Sequence, residues 1–165
     1  MAAAVDSQLL CQIGERLIDM GVAIAVLKLG SQGLYARTSF DAKRLTSIKA
    51  GIFLDPSNWL DRELMMPCFK ANVVGTTGAG DCTIAGLIAG LLKGLSIEQT
   101  MNAAVAVGAF NVESADATSG VPNWDTVQAR IHAGWERRPS SISLQGWQYN
   151  PTQCIWRGPK DKGGG

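Results

Sequence analysis

The 165-residue sequence predicts an α/β fold, and three observations carry that prediction. Apolar residues recur four apart at Val5, Leu9, Ile13 and Leu17, with Leu10 and Ile18 beside them, the spacing of one helix face. The run Val22-Ala23-Ile24-Ala25-Val26-Leu27-Lys28-Leu29 is short, rich in β-branched residues and closed by Gly30, as a buried strand is. The stretch Val73-Val74-Gly75-Thr76-Thr77-Gly78-Ala79-Gly80-Asp81 leads a strand-like pair through glycines into an apolar helix. Strands mixed with helices point to α/β layers.

Each element then follows in chain order. Asp6 or Ser7 can cap a first helix from about Ser7 to Met20, and Gly21 can end it. The strand at 22–29 reads as one buried on both faces in a parallel sheet. After the turn Gly30-Ser31-Gln32-Gly33, residues Leu34 to Thr38 read as a hairpin partner. Ile52-Phe53-Leu54 is a candidate short strand ended by Asp55-Pro56, and Phe69 to Val74 is another. Helices are expected over Cys82–Lys93, over Ile97–Val112 and after Asn123, the last turning Trp124, Val127 and Ile131 inward. Ser96 with Gln99 makes a capping box, which satisfies amide groups left open at a helix start. From Pro139 the pattern dissolves into Ser, Gly, Pro and isolated aromatics. The expected division is a folded part over residues 5–135 and an irregular, partly disordered tail over 136–165.

Composition narrows the function. With 15 Lys and Arg against 14 Asp and Glu, the chain lacks the cationic excess that nucleic acid or an acidic membrane surface selects. The longest apolar run, Ile84 to Leu92, is broken by glycines and is far short of a bilayer span. Cys11, Cys68, Cys82 and Cys154 have no CxxC spacing and no companion histidines, so no zinc site is expected. These features lead us to expect a soluble cytoplasmic protein with no metal-ligating side chains.

The chemistry sits at Gly78-Ala79-Gly80-Asp81. Gly78 and Gly80 let backbone approach a ligand closely, and the following helix offers open amides at the positive end of its dipole. Asp81 puts a carboxylate beside that anion site. It is either a general base for a hydroxyl attacking a phosphoryl group or a helix-capping residue, and spacing alone leaves both open. The stretch is neither a Walker A loop, since no Gly-Lys-Ser/Thr follows, nor a GxGxxG fingerprint.

These residues resemble the second signature of the ribokinase (PfkB) family of sugar kinases. Upstream, Val26-Leu27-Lys28-Leu29-Gly30-Ser31-Gln32-Gly33 is similar to that family's nucleotide-contacting strand and loop. Downstream, Asn102-Ala103-Ala104-Val105-Ala106-Val107-Gly108-Ala109 resembles its helix beside the adenine pocket. The resemblance covers about Ser7 to Ile131. It implies a three-layer α/β/α fold, here the C-terminal part of the sheet with its helices. It also implies transfer of phosphate from ATP, with Mg2+, to a hydroxyl of a sugar or nucleoside. Asp81 would be the base and the amides around Gly78, Ala79 and Gly80 the anion hole. Lys28, Gly30, Gly33 and Thr77 would lie near the nucleotide's phosphates and ribose, and Ala104 and Gly108 would line the adenine pocket. Gly75 departs from the family, where an Asp that helps hold a monovalent cation often stands. The family's sugar-contacting residues, β-sheet lid and Asn-x-x-Glu motif precede the region that residue 7 matches. The competing expectation is therefore a non-catalytic nucleotide-binding fragment that docks with a separate N-terminal half or with another copy of itself.

Other residues read more plainly. His132 is expected at the surface near a helix C-terminus, and Gly86 and Gly90 are expected to let their helix approach the sheet. Glu113, Asp116, Arg62-Glu63 and Arg137-Arg138 read as solvated charges, and Cys82 as a buried thiol. Trp147, Tyr149 and Trp156 either anchor the tail on an apolar surface or lie loose.

Overall fold

The structure is a computed structural model that describes residues 5–48 and 52–163. Helix α1 (Ser7–Asp19) is capped by Asp6, whose carboxylate accepts from the Leu9 amide at 2.8 Å. Strands β1 (Ile24–Lys28) and β2 (Leu34–Thr38) follow, joined by a 3-10 turn over Gly30–Gln32. Two short helices, α2 (Ala42–Thr46) and α3 (Pro56–Trp59), precede β3 (Glu63–Met66). Helices α4 (Ala79–Leu92), α5 (Ile97–Asn111) and α6 (Trp124–His132) come next, and β4 (Gln148–Asn150) and β5 (Ile155–Arg157) end the sequence of elements.

The five strands form one sheet in the order β1-β2-β3-β5-β4, and every pairing is antiparallel. The parallel neighbours expected for β1 are absent among the described residues. β1 is instead an edge strand, hydrogen-bonded on one side to β2, and most of it is half-buried. The short turn explains this: a connection of five residues, 29–33, permits only antiparallel pairing. By contrast, β2 is buried along its whole length. Leu34 and Ala36 enter the core on the α4–α5 side, while Tyr35 enters a smaller core with Leu10 of α1, Met65 and Trp147. Alternate residues thus serve opposite faces, and helices cover both, giving three layers.

Helix α5 packs on β3 and is the most deeply buried helix, and α4 packs along α5. The expected capping box is present, with the Ser96 amide donating to Gln99 Oε1 and the Gln99 amide to Ser96 Oγ. Gly86 and Gly90 permit a close approach, but to α5 rather than to the sheet. A Cβ at Gly86 would lie 3.0 Å from Ala104 Cα, and one at Gly90 would lie 2.9 Å from the Thr100 methyl.

Three further expectations change. Ile52–Leu54 pairs with no strand, and Phe69–Val74 contributes only an isolated bridge between Phe69 and Arg137. Arg62 and Glu63 are not solvated. Arg62 bonds Glu98 at 2.5 Å and Asp161 at 2.8 Å, while Glu63 accepts from the Tyr35 hydroxyl and the Lys160 amide. Nor is the tail irregular: β5 pairs with β3, and Trp147 is buried against Tyr35 with ring centroids 6.2 Å apart. Within the tail, β4 and β5 therefore extend the same sheet. Residues 164 and 165, also placed in the tail, lie outside the described residues.

Candidate active site

The glycine turn is held by what surrounds it. Gly78 caps α4 with φ +75°, and a Cβ there would meet the Ala117 carbonyl oxygen at 2.5 Å. The loop after α5 braces the turn, since Asn111 Nδ2 and Cys82 Sγ both donate to that same carbonyl, at 2.7 and 3.4 Å. At the start of α4 the Ala79 amide donates to Thr76 O and the Cys82 amide to Gly78 O. The Gly80 and Asp81 amides have no acceptor among the described residues. Two donors are thus open at the helix's positive end.

A cation stands beside them. A Cβ at Gly80 would lie 2.8 Å from Lys28 Nζ, so the β1 ammonium reaches the first turn of α4. Asp81, the next residue, is exposed on the same turn. Burial raises the Cys82 thiol above its ordinary range and the Asp81 charge adds to this, so the helix terminus does not make it a reactive thiolate.

A cavity of about 660 Å³ opens at this turn. Lys28, Gly30, Gly33, Ala79, Gly80 and Gly108 line it together. Gly78, Thr77 and Asp81 do not line it, though they belong to the turn at its edge. Ala104 is misplaced by the expectation: it is fully buried against Gly86 and faces α4. The 3.6-residue period of α5 instead turns Val105, Gly108, Ala109 and Val112 to the cavity. Thr83 was not anticipated. Its hydroxyl donates to the Ala79 carbonyl at 2.7 Å and lines the cavity opposite Gly108, where a Cβ would meet Thr83 Oγ1 at 2.2 Å.

The nearby acids have structural work instead. Glu113 accepts both terminal nitrogens of Arg130, at 2.6 and 2.8 Å, and that guanidinium holds its carboxyl below the usual range. Asp116 accepts from the Thr118 and Ser119 amides, which lower its pKa likewise. Among the described residues no three His, Cys, Asp or Glu side chains converge as metal ligands.

Residues 2–124 match the model of the pfkB family of carbohydrate kinases. The chain belongs to that family. An uncharacterised sugar kinase of Archaeoglobus fulgidus is 36% identical over 108 residues, covering 66% of this chain and 35% of the relative. Among solved structures, the nucleoside kinase of Methanocaldococcus jannaschii, an archaeal member of the ribokinase family, superposes with a TM-score of 0.55 at 24% identity. That match covers 78% of this chain and 38% of that one. Arabidopsis thaliana ribokinase complexed with ribose and ATP gives 0.57 at 22% identity, covering 74% and 33%. These likenesses show the ribokinase fold. The pfkB chain spans little more than a third of the length of the relatives it matches. No helix among its described residues is long and apolar enough to cross a membrane.

Proposed function

We propose that this chain is the nucleotide-binding and catalytic part of an ATP-dependent phosphotransferase acting on a hydroxyl of a sugar or nucleoside. One observation carries the reading: Lys28 Nζ and the open Gly80 and Asp81 amides meet at the mouth of a cavity whose lining includes no carboxylate. Such a site favours a polyanion, and its volume suits a nucleotide. The nucleoside kinase and ribokinase neighbours support the acceptor class.

In this reading Asp81 accepts the proton of the acceptor hydroxyl as its oxygen bonds to the γ-phosphorus and the bond to the ADP oxygen breaks. The Gly80 and Asp81 amides, with Lys28, stabilise charge on the transferred group. Asp81 alone does not form a magnesium site. The ion would be carried by the nucleotide's phosphates and water, with the charge neutralisation such ions supply. The reaction belongs in the cytoplasm, where four unpaired thiols stay reduced.

The test is Asp81→Asn in a coupled kinase assay. ATP affinity should stay within about twofold while transfer falls by at least ~100-fold. Wild-type turnover in the variant would remove Asp81 from its role.

A second reading is favoured by the free edge of β1 and by the exposed Val5 before α1 and Leu9 and Ile13 on it. Both suit a chain that binds nucleotide but needs a complementary N-terminal part to phosphorylate anything. Assays of the chain alone and mixed with such a part separate the two. Phosphorylation of a sugar by the chain alone would exclude the second.

A further inference from the structure

Arg138 has no role in the mechanism above, yet it lines the same cavity as Lys28, Gly30 and Gly80. Its backbone is fixed there. The Arg138 amide donates to the Cys68 carbonyl at 2.8 Å, next to the antiparallel bridge between Phe69 and Arg137. Cys68 in turn donates its thiol proton to the Gly30 carbonyl at 3.4 Å, which joins this segment to the β1–β2 turn.

Arg137 secures the segment from the other side of the chain. Its guanidinium lies 3.7 Å from the Phe69 ring centroid and donates to Pro67 O at 2.9 Å and Asn102 Oδ1 at 2.5 Å. Burial among these groups lowers its pKa to about 10, still charged at neutral pH. Successive side chains of extended backbone point to opposite sides. With Arg137 turned into the protein, Arg138 is left at the cavity.

The charges around the cavity are unequal in their freedom. Its lining holds three cations, Lys28, Lys70 and Arg138, and no carboxylate. Lys70 is neutralised by Glu136. Arg138 has no carboxylate partner among the described residues, unlike Arg37 and Arg62, which have two each, and Arg130, which has one. Lys28 reaches the first turn of α4, and the Arg138 backbone meets Cys68, whose thiol reaches Gly30. A single small anion would need one of these cations, whereas a chain of phosphates can use both.

We propose that Arg138 is a phosphate-contacting residue of the nucleotide site, acting with Lys28 and supplied by the segment that follows α6. The family match ends at residue 124, so this contact is one that family similarity does not describe. The inference rests on the nucleotide reading of the cavity.

The experiment is calorimetric binding of ATP, ADP, AMP and adenosine to the full chain, as wild type, Arg138→Gln and Arg138→Lys. Arg138 is exposed, and far-ultraviolet circular dichroism of both variants should match wild type. Arg138→Gln should weaken ATP about tenfold, the scale of one charge-assisted hydrogen bond, and should leave adenosine within twofold. ADP and AMP should fall between, and Arg138→Lys should recover part of the loss. The wild-type affinity for ATP should also drop more steeply with added salt than that of Arg138→Gln. An equal loss for adenosine and ATP would overturn the phosphate assignment, and an unchanged ATP affinity would remove Arg138 from the site altogether. If wild type bound none of the four, the nucleotide reading itself would fall and take this inference with it.

Discussion

A methyl group at Gly33 would lie 1.9 Å from the Met66 carbonyl oxygen, and the residue's φ of +113° suits only glycine. The β1–β2 turn and the end of β3 therefore share a space that no side chain can enter. Gly33→Ala should cost at least ~2 kcal/mol in chemical denaturation, because both strain and overlap act against it. A loss under about 0.5 kcal/mol would show that the turn can shift without consequence. Glu113 makes a second residue-scale prediction. Arg130 depresses its folded pKa, so its stabilisation is complete above the ordinary carboxylate range, near 4.5, and is lost as pH falls below it. Glu113→Gln should remove up to about 1 kcal/mol at pH 7, a modest figure because the pair is partly exposed, and less at pH 2. Denaturation at both pH values checks this. An equal cost at both would point to lost packing rather than lost charge.

At the scale of elements, the helices were far more legible than the strands. Asp6, Ser96 and Asn123 mark the starts of α1, α5 and α6 by the same device, a side-chain oxygen accepting an amide of the first turn. Such signals are local, so a sequence displays them. Strand β3 has none. It is four residues long and opens on a charged pair, and Arg62 and Glu63 could be buried only because Glu98, Asp161 and Tyr35 arrive from distant parts of the chain. The two strands of the tail were hidden for the same reason. In the candidate site, the glycine turn, Lys28 and Gly108 were readable from the resemblance of their neighbourhoods. The inward phase of α5 was not, which is why Ala104 was expected at a cavity that Val105 lines instead. Thr83 and Arg138 depend on contacts between segments and left no local mark.

At the scale of the whole molecule, the three layers stop abruptly at β1. Its outer edge carries no strand among the described residues, and apolar side chains are exposed on the helices of both layers: Leu9 and Ile13 on α1, with Val5 just before it, and Ile88 and Leu92 on α4. The α1 residues among them are a candidate contact surface that mutation can test. Leu9→Lys combined with Ile13→Glu should leave ATP affinity within about twofold, since neither residue lines the cavity, while reducing self-association of the purified chain in sedimentation. Unchanged sedimentation would show that the α1 stripe takes no part in association.

The pairing of β3 with β5 joins Met65 to Trp156, roughly ninety positions apart, and so belongs to the slow class of contacts that await a long loop closure. A ribosome delivering this chain would release α4 and α5 well before the strand that covers β3. Until residues 155–161 emerge, β3 presents open backbone groups, and Arg62 and Glu63 lack the Asp161 and Lys160 contacts that satisfy them. Residues 155–161 thus decide when β3 stops being an open edge prone to aggregation.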